Sequence, residues 1–353
     1  MPMAYNVVGG VAAWTSINMV RLTTRTWAPT MLNKRFATFA WANVAYNLLV
    51  ILWGAFVRAT GSGAGCGDHW PLCDGQVIPR APSSEMLIEF THRLTSGLAL
   101  IGVLVMLIWA FRAYTRGHHV RRGALIATGF MIIEALLGAA LVLLELVAMN
   151  TSLNRAAMMA LHLVNTLLLL GALTLTAWWA SGGAPSSLRG HGSRLPWLLG
   201  LGLLGTILVG SSGAVTALGD TLLQHGALPG GVGQAITADS HPLVQMRIIH
   251  PIIGVLVGLY TLYLAQVVKS RSNNPVAGRL AWGLSVLFLL QILLGGINVS
   301  LKAPVWMQLV HLLMADLVWI AMVVLSAIAL ERPLAVRQPS SVVGRQASVQ
   351  ART

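Results

Sequence analysis

Four histidines, His92, His162, His250 and His311, each stand alone in a separate long apolar stretch. An ionisable side chain inside a membrane is costly, and where one is retained it usually serves a ligand, an ion path or a proton. Two imidazoles on neighbouring helices form a donor set that can hold haem iron from both faces. A single intramembrane histidine is as readily a core residue hydrogen-bonded to the next helix. Four at matching places in two copies of one pattern do not fit that account, and they point to two bis-histidine sites.

The charged neighbours make the two sites unequal. Glu89-Phe90-Thr91-His92-Arg93 sets a carboxylate three residues before a candidate ligand, and residues at i and i+3 share a helix face. The stretch before His250 reads Met246-Arg247, without an acid at that spacing. Chemistry is therefore expected at His92/His162 with Glu89 as its catalytic group, and a supporting or electron-transfer role at His250/His311. The competing role for Glu89 is that of an acid favoured at a helix N-terminus by the macrodipole. Arg93 and Arg247, at the outer boundary, are expected to bind haem propionates, because guanidinium–carboxylate pairing is strong and often bidentate. Arg58 is left between that role and interfacial snorkelling. Glu134 aligns with neutral Gln291 and is read as a structural hydrogen-bonding residue. Asp316, five residues beyond His311, is off its face and is not read as a ligand. Cys66 and Cys73 bracket a loop segment and are read as a disulfide, which an outer face permits. A metal site with His69 competes with that reading but lacks a full ligand set.

The elements that must hold these residues are membrane helices. The 353 residues are 56% hydrophobic and 9% charged, with mean hydropathy +0.73, whereas soluble domains carry roughly 25% charged residues. Eight apolar stretches lie near 38–57, 92–111, 123–147, 157–180, 196–217, 245–268, 277–300 and 304–330, each close to the roughly 20 residues that span a bilayer. With the N-terminus in the cytoplasm, the inner segments hold 17 of the 23 lysines and arginines. That positive-inside bias sets both termini in the cytoplasm of a multi-pass plasma-membrane protein. The net charge of +13 thus reports orientation and contact with anionic lipid, and nucleic-acid binding is not expected. In this orientation each histidine is expected four to seven residues below the outer end of its helix, or about 6–10 Å. All four histidines then lie toward the outer face, which counts against a transmembrane proton relay.

The chain repeats itself. Val57, His92, Glu134 and His162 find counterparts in Val215, His250, Gln291 and His311, at offsets of 158, 158, 157 and 149. An even number of helices per copy inserts both copies in the same orientation, as parallel repeats. The expected fold is all-α: two four-helix bundles side by side, with cofactor sites in the bundle cores. The expected divisions are an extension 1–35, a first half 36–182, a second half 195–331 and a disordered cytoplasmic tail 332–353. Met31, followed by Lys34-Arg35 and a strong apolar run, is an alternative start, which N-terminal sequencing that finds Pro2 or Met3 would exclude.

Taken together, Gly54-Ala55-Phe56-Val57-Arg58-Ala59-Thr60-Gly61-Ser62-Gly63, the Cys66–Cys73 loop with Trp70-Pro71, Glu89-x-x-His92-Arg93 and one histidine on each even-numbered helix resemble the haem A synthase family. The resemblance covers roughly residues 36 to 331. It implies a membrane oxidoreductase that oxidises the C8 methyl of haem O to a formyl group, giving haem A for the terminal oxidase. It implies haem O as substrate between His92 and His162, and haem b between His250 and His311 passing electrons. The implied partners are haem O synthase and assembly factors of the terminal oxidase; electron donor, formyl oxygen and self-association stay open. Some family members carry a second cysteine pair between helices five and six, whereas residues 218–244 contain no Cys. The alternative from another class is a dihaem b electron carrier, which uses the same histidines but has no need of Glu89.

Overall fold

The computed structural model describes residues 31–187, 194–231, 233–272 and 274–331. The extension up to residue 30 and the tail 332–353, with Arg21, Arg25, Arg189 and the tail arginines, lie outside those residues. Eight helices follow one another: α1 (Met31–Ala59), α2 (Ser84–Ala113), α3 (His119–Leu143), α4 (Leu153–Ala180), α5 (Arg194–Gln224), α6 (Pro242–Arg271), α7 (Pro275–Ser300) and α8 (Val305–Ala329). Each is long and apolar enough to cross a membrane, and among the described residues there is no named strand, so the described fold is all-helical.

Helices α2, α4 and α6 begin earlier than their apolar stretches because polar residues cap them, whereas α8 starts at Val305 behind Pro304, without a side-chain cap. Ser83 Oγ accepts from the Met86 N–H, and Ser152 Oγ accepts from the Arg155 N–H. Each bond satisfies one of the orphan donors of a helix N-terminus. His241 does the same for the Leu243 N–H ahead of Pro242, which needs no partner at the first turn. The histidines consequently lie eight, nine, eight and six residues beyond the first residue of α2, α4, α6 and α8. At 1.5 Å per residue that is about 12–14 Å for His92, His162 and His250, deeper than the 6–10 Å expected from the hydrophobic runs, and about 9 Å for His311, within it. α3 stops short of its apolar stretch: Glu145 and Ala148 take φ of 54° and 49°, a backbone that ends a helix, so Glu145 sits in a turn.

Within each run of four, consecutive helices pack together and the fourth closes on the first, α4 on α1 and α8 on α5. The two runs meet chiefly where α4 packs on α5 and α8. Helices α4 and α8 are the two whose apolar windows are half buried or more, 50% and 56%, against 17–33% elsewhere. At this seam Trp319 lies against Gly171, where a Cβ would approach its ring to 3.4 Å, and its Nε1 donates to the Leu167 carbonyl at 2.7 Å. The remaining helices turn large apolar side chains outward, among them Leu94, Leu98 and Ile101 of α2 and Leu256 and Leu259 of α6, as a lipid-facing surface requires.

Candidate functional site

The packing brings the histidines together in two pairs. His92 and His162 lie within electrostatic reach of each other, and so do His250 and His311. Each ring rests against a glycine of the preceding helix: His92 on Gly54, His162 on Gly138, His250 on Gly213 and His311 on Gly295. A side chain at Gly54, Gly213 or Gly295 would meet ring carbon at 2.9 to 3.1 Å, closer than packed cores accept without a shift. Pattern alignment sets Gly213 opposite Ala55; in the structure it takes the place of Gly54.

The ring nitrogens find different company in the two pairs. In the second, His250 Nδ1 is 3.0 Å from Ser212 Oγ, and His311 Nε2 is 3.2 Å from the Gln291 amide nitrogen. In the first, His162 Nε2 is 3.5 Å from Glu134 Oε1, while Asn165 Nδ2 and Thr166 Oγ1 hold the Glu134 carboxylate. Glu134, read from sequence as structural, and its counterpart Gln291 therefore both stand at a histidine. The Nδ1 atoms of His92, His162 and His311 are buried without a hydrogen-bond partner, a condition folded chains keep only for a reason.

Among the described residues no group of three or more His, Cys, Asp or Glu could hold a bare metal ion. Paired imidazoles on facing helices, each with one ring edge on a glycine, instead fit axial ligation of an iron porphyrin.

Glu89 is buried, 3% exposed, and both its oxygens are engaged. Oε2 accepts from the Cys66 N–H at 2.8 Å, and Oε1 accepts from Arg93 Nε at 3.1 Å and from Nη2. Arg93 Nη1 also donates to the Leu72 carbonyl at 2.6 Å and to that of His69. The carboxylate, the arginine and the loop closed by the Cys66–Cys73 disulfide thus form one clamp beside His92. The His69 ring lies 3.3 Å from the Asp68 carboxylate on the exposed surface. Gly65 lets the loop lie on the start of α2: a Cβ there would meet Glu85 backbone atoms at 2.5 Å. Gly65→Ala is expected to lift the loop from α2 and to cost about 1–3 kcal/mol by overpacking. Thermal unfolding in detergent checks this; an unshifted midpoint contradicts it.

A second polar cluster joins the two runs of helices. Arg58, at the end of α1, donates to the Ala217 carbonyl and Thr221 Oγ1 of α5, both at 2.6 Å, and to Gln308 Oε1 of α8 at 2.8 Å. Gln308 precedes His311 by three residues, so it lies on the same face of α8. Arg247 pairs with Asp220 at 3.0 Å, and Asp220 and Arg155 both lie within electrostatic reach of Arg58. Asp220 and Gln308 were not singled out from sequence; their partners are a helix or more away along the chain. Arg58→Ala removes three bonds across the seam and is expected to destabilise the protein by at least about 3 kcal/mol, since bonds to a charged donor contribute about 1.5–3 each and bonds shared by one group do not add in full. A thermal midpoint within error of the wild type would contradict that.

Comparison with known proteins follows the same residues. The family model of the Cytochrome oxidase assembly protein, COX15-CtaA, matches residues 37–323. A Thermus thermophilus protein named Protoheme IX farnesyltransferase is 53% identical over 298 residues, 84% of this chain and 49% of its own length. A Heme A synthase of an Exiguobacterium species is 31% identical over 251 residues, 69% of this chain and 77% of its own length. A Heme A synthase of Geobacillus kaustophilus is 46% identical over 104 residues, 30% of this chain and 33% of its own. The chain thus spans about half the length of the Thermus relative.

Proposed function

The chain belongs to the COX15-CtaA family of cytochrome oxidase assembly proteins, and on that premise we propose that it is a haem A synthase, a membrane oxidoreductase that converts haem O to haem A. The observation that carries the reading is the inequality of the two histidine pairs. His92/His162 has two carboxylates beside it, Glu89 clamped one turn before His92 and Glu134 against His162. At His250/His311 the ring nitrogens meet neutral Ser212 and Gln291 instead, and the position three residues before His250 holds Arg247, a cation paired with Asp220. A pair furnished with fixed negative charge suits a substrate carbon that loses electrons; a pair furnished with neutral groups suits a resident redox centre.

In this reading His92 and His162 hold the iron of the substrate haem O, and His250 and His311 hold a haem b, which supplies one-electron transfer when bound. Glu89 cannot swing, because Arg93 holds one oxygen and the Cys66 amide the other. Its role is therefore that of a preoriented charge that stabilises positive charge developing at the C8 carbon, the kind of group that needs no reorganisation during reaction. The disulfide loop holds that charge in place from the outside. Arg58, Arg155 and Arg247 outnumber Asp220 and leave this end of the seam positive, a setting for haem propionates; Arg93 would add to it at the first site. Both termini lie in the cytoplasm, the haem sites face outward, and residues 36–182 and 195–331 are the two halves of a duplicated unit. The name of the Thermus relative, Protoheme IX farnesyltransferase, describes adding a farnesyl group to protohaem, the modification that sets haem O apart from haem b, and a haem O synthase is the fitting upstream partner.

The test is pigment analysis of the protein purified from cells that make haem O. Haem A or its hydroxylated precursor is expected beside haem b. Haem b alone, with a working electron donor present, would sink the synthase reading and leave a dihaem electron carrier.

A further inference from the structure

Three of the four glycine seats are tight and one is loose. A Cβ at Gly54, Gly213 or Gly295 would lie 2.9, 3.0 or 3.1 Å from Cε1 of its histidine, whereas at Gly138 it would lie 4.0 Å from that of His162, an ordinary contact. His162 is also the one of the four whose Nε2 stands beside a carboxylate, 3.5 Å from Glu134 Oε1. That carboxylate is itself fixed: Asn165 and Thr166, one turn farther along α4, both donate to it. In the second pair the same place holds the Gln291 amide, and the seat beneath His311 is tight.

Resting on the reading of His92 and His162 as the ligands of the first site, we propose that His162 is its exchangeable ligand and Glu134 the group that receives it. Only the coordinate bond from Nε2 breaks, and its electron pair returns to the ring. The ring stays neutral: its one proton moves from Nδ1 to Nε2, where it is donated to Glu134 Oε1. No electron is transferred. With the ring beside Glu134, Nδ1 is buried without a partner and Nε2 faces the carboxylate, so in this position the ring proton is hydrogen-bonded only on Nε2. The slack over Gly138 is the space the ring needs to turn, and His92 stays seated on Gly54. The first site thereby opens a coordination position that a small diatomic molecule can take, while the second stays closed. Glu134 acts through His162 and is a positioning residue.

Carbon monoxide is the probe, because it binds reduced haem only where an axial ligand leaves. In His250→Ala protein, purified with haem in the first half alone, carbon monoxide is expected to bind that haem; in wild-type protein it is expected to bind the same haem and leave the other low-spin. Gly138→Ala fills the slack without a clash, and Glu134→Gln removes the charge that receives the ring. Each is expected to slow carbon monoxide association at least about tenfold, equivalent to about 1.4 kcal/mol in the barrier, with haem content and the low-spin spectrum before the addition unchanged. Association at the wild-type rate in both variants would overturn the inference, as would carbon monoxide entering the second-half haem. A first-half haem that is present but silent to carbon monoxide overturns it alone; a His250→Ala protein with no haem overturns the ligand reading as well.

Discussion

Glu89→Gln is expected to keep both haems and to lose formyl-haem production by about a hundredfold or more, the loss typical of removing a preorganised electrostatic group. The amide matches the carboxylate in shape, so the contact with the Cys66 N–H can persist while the charge is lost. Arg93 then loses its ion-pair partner and keeps the Leu72 carbonyl, so the clamp loosens without leaving the guanidinium stranded. Pigment extraction and haem quantification of variant and wild type, made side by side, read the result. Retained haem with wild-type amounts of product would mean that Glu89 serves the helix terminus and not the reaction. A pure electron carrier makes the same prediction of unchanged haem but has no product to lose.

The second large effect concerns the other pair. His250→Ala or His311→Ala removes one of two donors facing a single iron and is expected to strip the tightly held haem b, cutting the haem-to-protein ratio by about half. A metal site that loses one ligand loses most of its affinity, and even changes to groups that only orient a ligand cost 10–100-fold. The first-half haem should persist, because Gly54, His92, Gly138 and His162 lie on α1 to α4 and none of these contacts passes through α6 or α8. Haem b that survives both substitutions would mean that the halves are assigned the wrong way round.

What could be read before the structure was the chemistry carried by single residues in apolar surroundings. A histidine, a glutamate or a cysteine pair stands out against Leu, Val and Ile, and its spacing along one helix fixes which face it shares. That is enough to pair Glu89 with His92 and to separate Asp316 from His311. The eight helices were legible for the same reason. Helix starts were not, because Ser83, Ser152 and His241 continue the helices through polar turns that hydropathy does not register. Contacts between helices were also hidden. Arg58 meets Gln308 across 250 residues of sequence, and only the rotation and depth of α1 and α8 decide that they meet. Arg93 and Arg247 were read as propionate partners, but their carboxylate partners within the chain, Glu89 and Asp220, depend on side-chain reach that spacing leaves undetermined for the latter. The glycine seats were missed for a further reason: a glycine shows nothing by its own chemistry, and its meaning appears only when a ring is seen lying against it.

The central claim is that one half binds the haem being oxidised and the other the haem that passes electrons. An electron-microscopy structure of the protein loaded with haem O tests it most directly, because haem O carries a farnesyl chain and haem b does not. The account predicts farnesyl density on the porphyrin between His92 and His162, with the C8 methyl edge turned toward Glu89, and a porphyrin without that chain between His250 and His311. The farnesyl-bearing porphyrin between His250 and His311, or the same haem in both halves, would contradict it.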